Sequence, residues 1–203
     1  METPGMPLVR RSPLARARVL AALVLPALVL AGCAQDSGST GTADALDQGY
    51  VSGDGSVRAW EPDERSEPVT ITGTDYDGNA VDTSDYLGQV VLLNTWYAGC
   101  APCRAEAPTL VDVDTNRDDV QVVGINGTDD AGTAQAFERT FEVSYPSIDD
   151  KDGSAVATLQ GTVPLQAVPT TVLLDPEGRV AARVIGEVEP STLDDLVDDA
   201  GEL

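Results

Sequence analysis

The chain has 203 residues, 42% of them hydrophobic, which suits one globular domain with extensions and a core that needs no staples. Twelve Lys and Arg stand against 34 Asp and Glu, for a net charge of −22. That balance excludes nucleic acid as a partner, since phosphate binding needs a basic patch, and reads as a solvated acidic surface.

Residues 1–32 read as a targeting segment. Arg10, Arg11, Arg16 and Arg18 precede the apolar run VLAALVLPALVLA at 19–31, which is too short to span a bilayer comfortably. The run ends in Leu30-Ala31-Gly32-Cys33, which resembles a bacterial lipobox. That resemblance implies lipidation of Cys33, cleavage before it, and an extracytoplasmic, membrane-anchored protein. The assignment also accounts for an odd cysteine in an exported chain of three. Removing residues 1–32 takes away four arginines and one glutamate, so the mature chain is more acidic still and its surface is repelled by anionic lipid.

Residues 33–67 carry Cys33 and then a stretch rich in Gly, Ser, Thr and Asp without apolar periodicity, and read as a flexible tether. Tyr50, Val51, Val57 and Trp60 are candidates for a short strand docking on the domain. The domain itself is expected over 68–203. VTITGTDYDGNAVD alternates and carries the turn Asp77-Gly78-Asn79, predicting a hairpin. QVVLLNTW, 89–96, is a continuous aliphatic run, as in a strand buried on both faces.

Cys100 and Cys103 follow that strand and open a helix predicted over 101–116, with Pro108 inside it and expected to kink it. At this spacing both sulfurs lie in the first helical turn, near unpartnered backbone N–H groups and the positive end of the helix dipole. A thiolate at Cys100 is stabilised there below the free value of about 8.5, which makes Cys100 the expected nucleophile and Cys103 the resolving thiol. A zinc site needs four ligands, and the chain has no histidine and no cysteine beyond Cys33 to complete one. A structural disulfide closing so short a loop constrains the unfolded chain little. Redox chemistry is therefore the reading, with no metal and no cofactor called for.

VQVVGING, 120–127, predicts a second buried strand, parallel to the first through a right-handed crossover. Helices are predicted at 131–144, with Ala134, Phe137 and Phe141 on one side, and at 154–160. A hairpin follows from TTVLLD and VAARVIG, 170–175 and 180–186, and a closing helix from 190–200 with Leu193, Leu196 and Val197 inward. Helices alternating with buried strands, plus an antiparallel edge, predict an α/β three-layer sandwich around a mixed sheet. Asn126-Gly127-Thr128 fits a glycosylation sequon and is read as chance. Val168-Pro169-Thr170, after a loop with Gly161 and Pro164, is a second constellation, which by itself reads as a strand start.

Asn94, Trp96, Cys100, Ala101, Pro102, Cys103, Glu106 and Pro108, followed by AVPTTVLLDPEGRV at 167–180, resemble the thioredoxin-like TlpA/ResA-type thiol-disulfide oxidoreductases. The resemblance covers about 68–200 and implies a thioredoxin-like fold. It implies a redox-active Cys100–Cys103 disulfide and a cis peptide bond at Pro169. It gives substrate docking to Val168, Thr170, Trp96 and Pro102, and makes Glu106 a partly buried carboxylate exchanging protons with the cysteines. It further implies an oxidised protein thiol as substrate, such as apocytochrome c, and a membrane protein as electron donor. Arg104 reads as a surface residue. One departure stands out: Gly99 occupies the position where the family usually has Trp. A peroxiredoxin is excluded because the Pro-x-x-x-Thr-x-x-Cys context is absent, and a Sco-type copper chaperone because CxxxC and a distant His are absent. The open alternatives are a disulfide-forming thiol oxidase and a redox-inactive binding module.

Overall fold

A computed structural model describes residues 56–162 and 167–202. The signal segment, Cys33 and the tether as far as residue 55 lie outside the described residues.

Six strands form the main sheet, in the order β1 (Val57–Ala59), β8 (Val180–Ile185), β7 (Thr170–Leu174), β4 (Val90–Thr95), β5 (Val120–Asn126), β6 (Ser147–Asp149). β4, β5 and β6 run parallel, and β1, β8 and β7 continue the sheet with antiparallel pairings. β2 (Thr72–Thr74) and β3 (Ala80–Asp82) form the expected hairpin as a separate ribbon. Gly78 at its turn has φ of +88°, a backbone region that glycine enters without steric cost.

The helices are α1 (Ala101–Asn116), α2 (Ala131–Phe141), α3 (Ser154–Thr158) and α4 (Pro190–Gly201). Every residue of β4 is buried, and alternate side chains enter opposite layers. Val90 and Leu92 join Val120, Val122 and Leu173 beneath Leu110 and Val113 of α1 and Leu193, Leu196 and Val197 of α4. Val91 and Leu93 join Val123, Ile125, Val172 and Leu174 against Ala155 of α3, Ile71 just before the hairpin and Val81 of β3. The result is the three-layer sandwich with a mixed sheet, in a thioredoxin-like arrangement.

Four details differ from the sequence reading. The folded unit begins before residue 68: the candidate docking strand forms, with Val57–Ala59 paired to β8, and Arg65 is buried against Asp175 at 3.2 Å. α2 stops at Phe141 rather than 144, because Glu142 turns left-handed at φ of 56° and the Val143 N–H closes on the Glu138 carbonyl. α3 ends at Thr158 rather than 160. β6 is three residues long and carries no apolar run from which to read it. Pro108 lies inside α1, and the helix continues through it to Asn116.

Candidate active site

β4 ends at Thr95, and the chain crosses from the sheet to α1 through Trp96–Cys100. The Trp96 N–H donates to the Ile125 carbonyl (3.0 Å), and the Cys100 N–H closes a turn on the Tyr97 carbonyl (3.1 Å). Cys100 is the N-cap of α1: its Sγ accepts the Cys103 N–H at 3.1 Å, as a capping side chain does. Cys100 and Cys103 form a disulfide, with Cα atoms 5.3 Å apart. Both residues are only 2% exposed, so burial does not make Cys100 the outer sulfur. Position in the helix separates them: Cys100 takes the capping place and Cys103 follows inside the first turn. Pro102, also in that first turn, is half-buried.

Glu106 sits one turn further along α1 and is 1% exposed. Its Oε1 accepts Asn94 Nδ2 at 2.8 Å, and its Oε2 accepts the Val188 N–H at 3.0 Å. Burial pushes its carboxyl up to about 7; the two hydrogen bonds pull it down in part, and Glu187 adds a smaller upward push. Asn94 is oriented by a second bond, Nδ2 to Thr171 Oγ1 at 3.1 Å. The sequence reading named Asn94 only as a matching residue. Its role as the carboxylate's partner needs the fold, since Asn94 and Glu106 lie on different elements.

The Val168–Pro169 peptide bond is cis. Val168 is 37% exposed, one of two large hydrophobic residues at the surface among those described. Thr170 is buried and used internally: its N–H donates to Thr95 Oγ1 (2.9 Å) and its hydroxyl to the Ala167 carbonyl (2.9 Å). Its side chain therefore holds the loop rather than facing outward. Trp96 is likewise buried, with its ring stacked on Phe137 at 4.4 Å between centroids. A cavity of about 370 Å³ opens beside the Pro169 loop, lined by residues that include Thr95, Trp96, Ile125, Lys151, Val156 and Val168.

Gly99 has no left-handed φ, and a Cβ there would make only ordinary contact with the Tyr97 ring at 3.5 Å. The backbone thus does not require glycine at this position. Arg104 is exposed, as expected, yet its Nη1 donates to the Ala98 carbonyl at 3.3 Å. The sequon residue Asn126 is fully buried, with its Nδ2 donating to Asp129 Oδ2 at 2.9 Å. Asp129 in turn accepts the Ala98 N–H at 2.6 Å, a contact that sequence reasoning missed.

A model of the AhpC/TSA family matches residues 66–183. The thiol-disulfide oxidoreductase ResA of Bacillus subtilis is 26% identical over 136 residues, which is 66% of this chain and 74% of that one. The thiol:disulfide interchange protein HelX of Rhodobacter capsulatus is 28% identical over 137 residues, 68% of this chain and 72% of that one. Among solved structures, a secreted thiol-disulfide isomerase from Corynebacterium glutamicum is 32% identical with a TM-score of 0.68, covering 75% of this chain and 97% of that one. A DsbF homologue from Corynebacterium diphtheriae is also 32% identical, with a TM-score of 0.64 and coverage of 73% and 96%. The chain belongs to the AhpC/TSA family and is a thioredoxin-like thiol-disulfide oxidoreductase of the TlpA/ResA type.

Proposed function

We propose that this oxidoreductase works outside the cytoplasm, held to the membrane through lipidated Cys33 and a flexible tether, and that it reduces its partners. The observation that carries the direction is Glu106, buried one turn from Cys103 and pushed up to about 7. An ionised carboxylate beside a dithiol disfavours the thiolate. Strongly oxidising couples draw their power from a stabilised thiolate, so this carboxylate works against one.

In the reductive half-reaction the Cys100 thiolate attacks one sulfur of a substrate disulfide. A mixed disulfide forms and the other substrate sulfur leaves as a thiolate. Cys103, deprotonated, then attacks Cys100 Sγ, closing the Cys100–Cys103 disulfide and releasing the second substrate thiol. Two electrons pass to the substrate, and protons from the Cys100 and Cys103 thiols end on the substrate thiols. Glu106 is the proposed carrier for the proton of the resolving thiol, since a group titrating near 7 gives and takes protons at neutral pH. Val168 and Pro169 offer the docking edge for an extended substrate. Pro102, in the first turn of α1, is proposed to join that edge, while Trp96 and Thr170 shape the site from within. A membrane protein must return the electrons, and the tether raises the effective concentration of the domain near such a donor. The TlpA/ResA resemblance supports an apocytochrome c, with its haem-attachment cysteines oxidised, as the substrate. The secreted C. glutamicum relative supports the location.

The thiol-oxidase reading has one observation in its favour, the place of Cys100 at the helix N-terminus, which stabilises a thiolate. The test is the reduction potential of the full chain carrying Cys33→Ser, equilibrated with a glutathione or dithiothreitol buffer at neutral pH. A value near about −270 mV, as in thioredoxin, supports the reductant. A value near about −120 mV, as in DsbA, overturns it. A disulfide that never exchanges leaves only the redox-inactive binding module.

A further inference from the structure

We propose that Asp129 and Arg104 are positioning residues which hold the two peptide groups flanking Ala98 and so keep Cys100 in its capping place on α1. The proposal rests on Cys100 acting as the attacking thiol.

Asp129 Oδ2 accepts the Ala98 N–H at 2.6 Å, and Arg104 Nη1 donates to the Ala98 carbonyl at 3.3 Å. The anion thus meets the N–H of the peptide that enters Ala98 and the cation the carbonyl of the peptide that leaves it, and charge-assisted bonds of this kind are stronger than neutral ones. Neither group is free to wander. Asp129 Oδ2 also accepts Asn126 Nδ2 at 2.9 Å, and Asn126 Oδ1 accepts the Thr128 and Asp129 N–H groups at 2.9 and 3.0 Å. Asn126 is fully buried at the end of β5, so the anchor is the sheet itself. The Arg104 guanidinium lies over the Phe141 ring, 4.9 Å from its centroid.

Ala98 is the second residue of the turn that the Cys100 N–H closes on Tyr97. Beyond that turn the capping contact, Cys103 N–H to Cys100 Sγ at 3.1 Å, sets how strongly the helix end stabilises a thiolate. Helix-end stabilisation fades within one turn, so a loosened turn weakens it. The charged groups facing this turn are Asp129 and Arg104, with Asp130 across a shallow groove; Glu106, buried on α1, turns its carboxylate to Asn94 and Val188.

Positioning and plain charge predict opposite signs. As a bare anion, Asp129 raises the thiol pKa, so its removal lowers it. As an anchor, Asp129 keeps the sulfur at the helix end, so its removal raises it. The experiment uses the full chain with Cys33→Ser and Cys103→Ser, leaving Cys100 as the one thiol, and follows its alkylation rate against pH. Asp129→Ala is expected to raise the Cys100 pKa by about one unit and cut alkylation at neutral pH by about 10-fold. Asp129→Asn still offers an oxygen to the Ala98 N–H and is expected to stay within about 3-fold of the parent, a rescue by geometry without charge. Arg104→Lys keeps the charge and loses the planar reach. In the chain that retains Cys103 it is expected to slow disulfide exchange; being exposed, this position tests the grip without a burden on folding. If Asp129→Ala and Asp129→Asn lower the pKa equally, or if no variant moves it or the exchange rate, the grip is overturned. If the parent itself shows no exchangeable disulfide, the redox reading falls first and takes the grip with it.

Discussion

Asn94 and Glu106 meet across the buried seam between β4 and α1, Nδ2 of one 2.8 Å from Oε1 of the other. This contact gives the carboxylate one of its two hydrogen bonds, and they do not fully offset the cost of burying its charge. The folded protein therefore binds the Glu106 proton up to about 7, whereas the unfolded chain releases it near the ordinary 4.5. Between those values the native state carries the extra proton, so the Glu106 contribution to stability is complete below the lower one. It is lost as pH rises through the upper one. Comparing Glu106→Gln with the parent in urea melts at pH 5 and pH 8 isolates this contribution. The parent is expected to lose on the order of 3 kcal/mol relative to the variant across that range. A difference that does not change with pH would show that the carboxyl titrates normally.

The order of attack is tested by trapping. With Cys103→Ser, the mixed disulfide formed at Cys100 has no resolving thiol and accumulates on partner proteins. With Cys100→Ser the capping sulfur is gone and little is trapped, even though Cys103 is as buried as Cys100. Non-reducing gels of cells carrying each variant give the answer. Equal trapping by both would remove the distinction drawn from the cap.

β4, the strand–helix handover at the cysteines and the β7–β8 hairpin were legible because each is a local pattern: an unbroken aliphatic run, a capping position, two runs joined by Pro-Glu-Gly-Arg. What stayed hidden depends on distant partners. Glu106 taken alone reads as a solvated helix carboxylate; the resemblance implied its partial burial, but its partners, Asn94 on β4 and Val188, 82 residues away, come only from the fold. Asp129 lies in a polar loop with nothing local to mark it, 31 residues from the amide it holds. β1 was legible only as a candidate, from Val57 and Trp60 in a stretch otherwise rich in Gly, Ser and Asp; its bounds and its partner come from pairing with β8. The resemblance gave Trp96 and Thr170 substrate-docking roles; packing on Phe137 and bonding to Thr95 turn them inward.

Arg65 makes a prediction about where the folded unit begins. Its guanidinium donates to the Asp175 carboxylate and to the carbonyls of Trp60, Asp199, Ala200 and Glu202, so it ties β1's exit to the hairpin and caps the end of α4. Replacing it with Met strands those carbonyls. Asp175 keeps Arg179 at 2.8 Å and the N–H groups of Glu177 and Arg179, so its charge is not left alone. The expected cost is about 2–3 kcal/mol, below the usual range for a buried charge deprived of all partners. A chain starting at residue 68 lacks both Arg65 and β1 and is expected to melt lower than one starting at residue 56. Equal melting temperatures would show that the segment before residue 68 contributes nothing to the fold.

Membrane attachment through Cys33 is tested by fractionation. Two or more acyl chains hold a protein stably where a single chain does not. Cys33→Ser is expected to leave the protein unprocessed or release it from membranes. Recovery of that variant in the membrane fraction at mature size would end the lipoprotein assignment.

The last prediction concerns Gly99, the position at which the family resemblance implied Trp beside the first cysteine. The backbone at Gly99 lies outside the left-handed region, and an added Cβ meets the Tyr97 ring at 3.5 Å with nothing closer. Gly99→Trp should therefore fold with stability within about 0.5 kcal/mol of the parent, as for exposed substitutions in general. It adds an aromatic surface beside the sulfurs without touching the cap, Glu106 or the Ala98 peptide bonds. The reduction potential and the rate of exchange with oxidised glutathione are expected to stay unchanged, since a small disulfide needs no docking wall. Exchange with a folded or partly folded protein disulfide is expected to change, because such a partner lies across Val168, Pro169 and the turn at once. Stopped-flow rates for the two substrates decide it. A change by the same factor with glutathione and with protein would mean that residue 99 acts on the chemistry of Cys100 rather than on the partner.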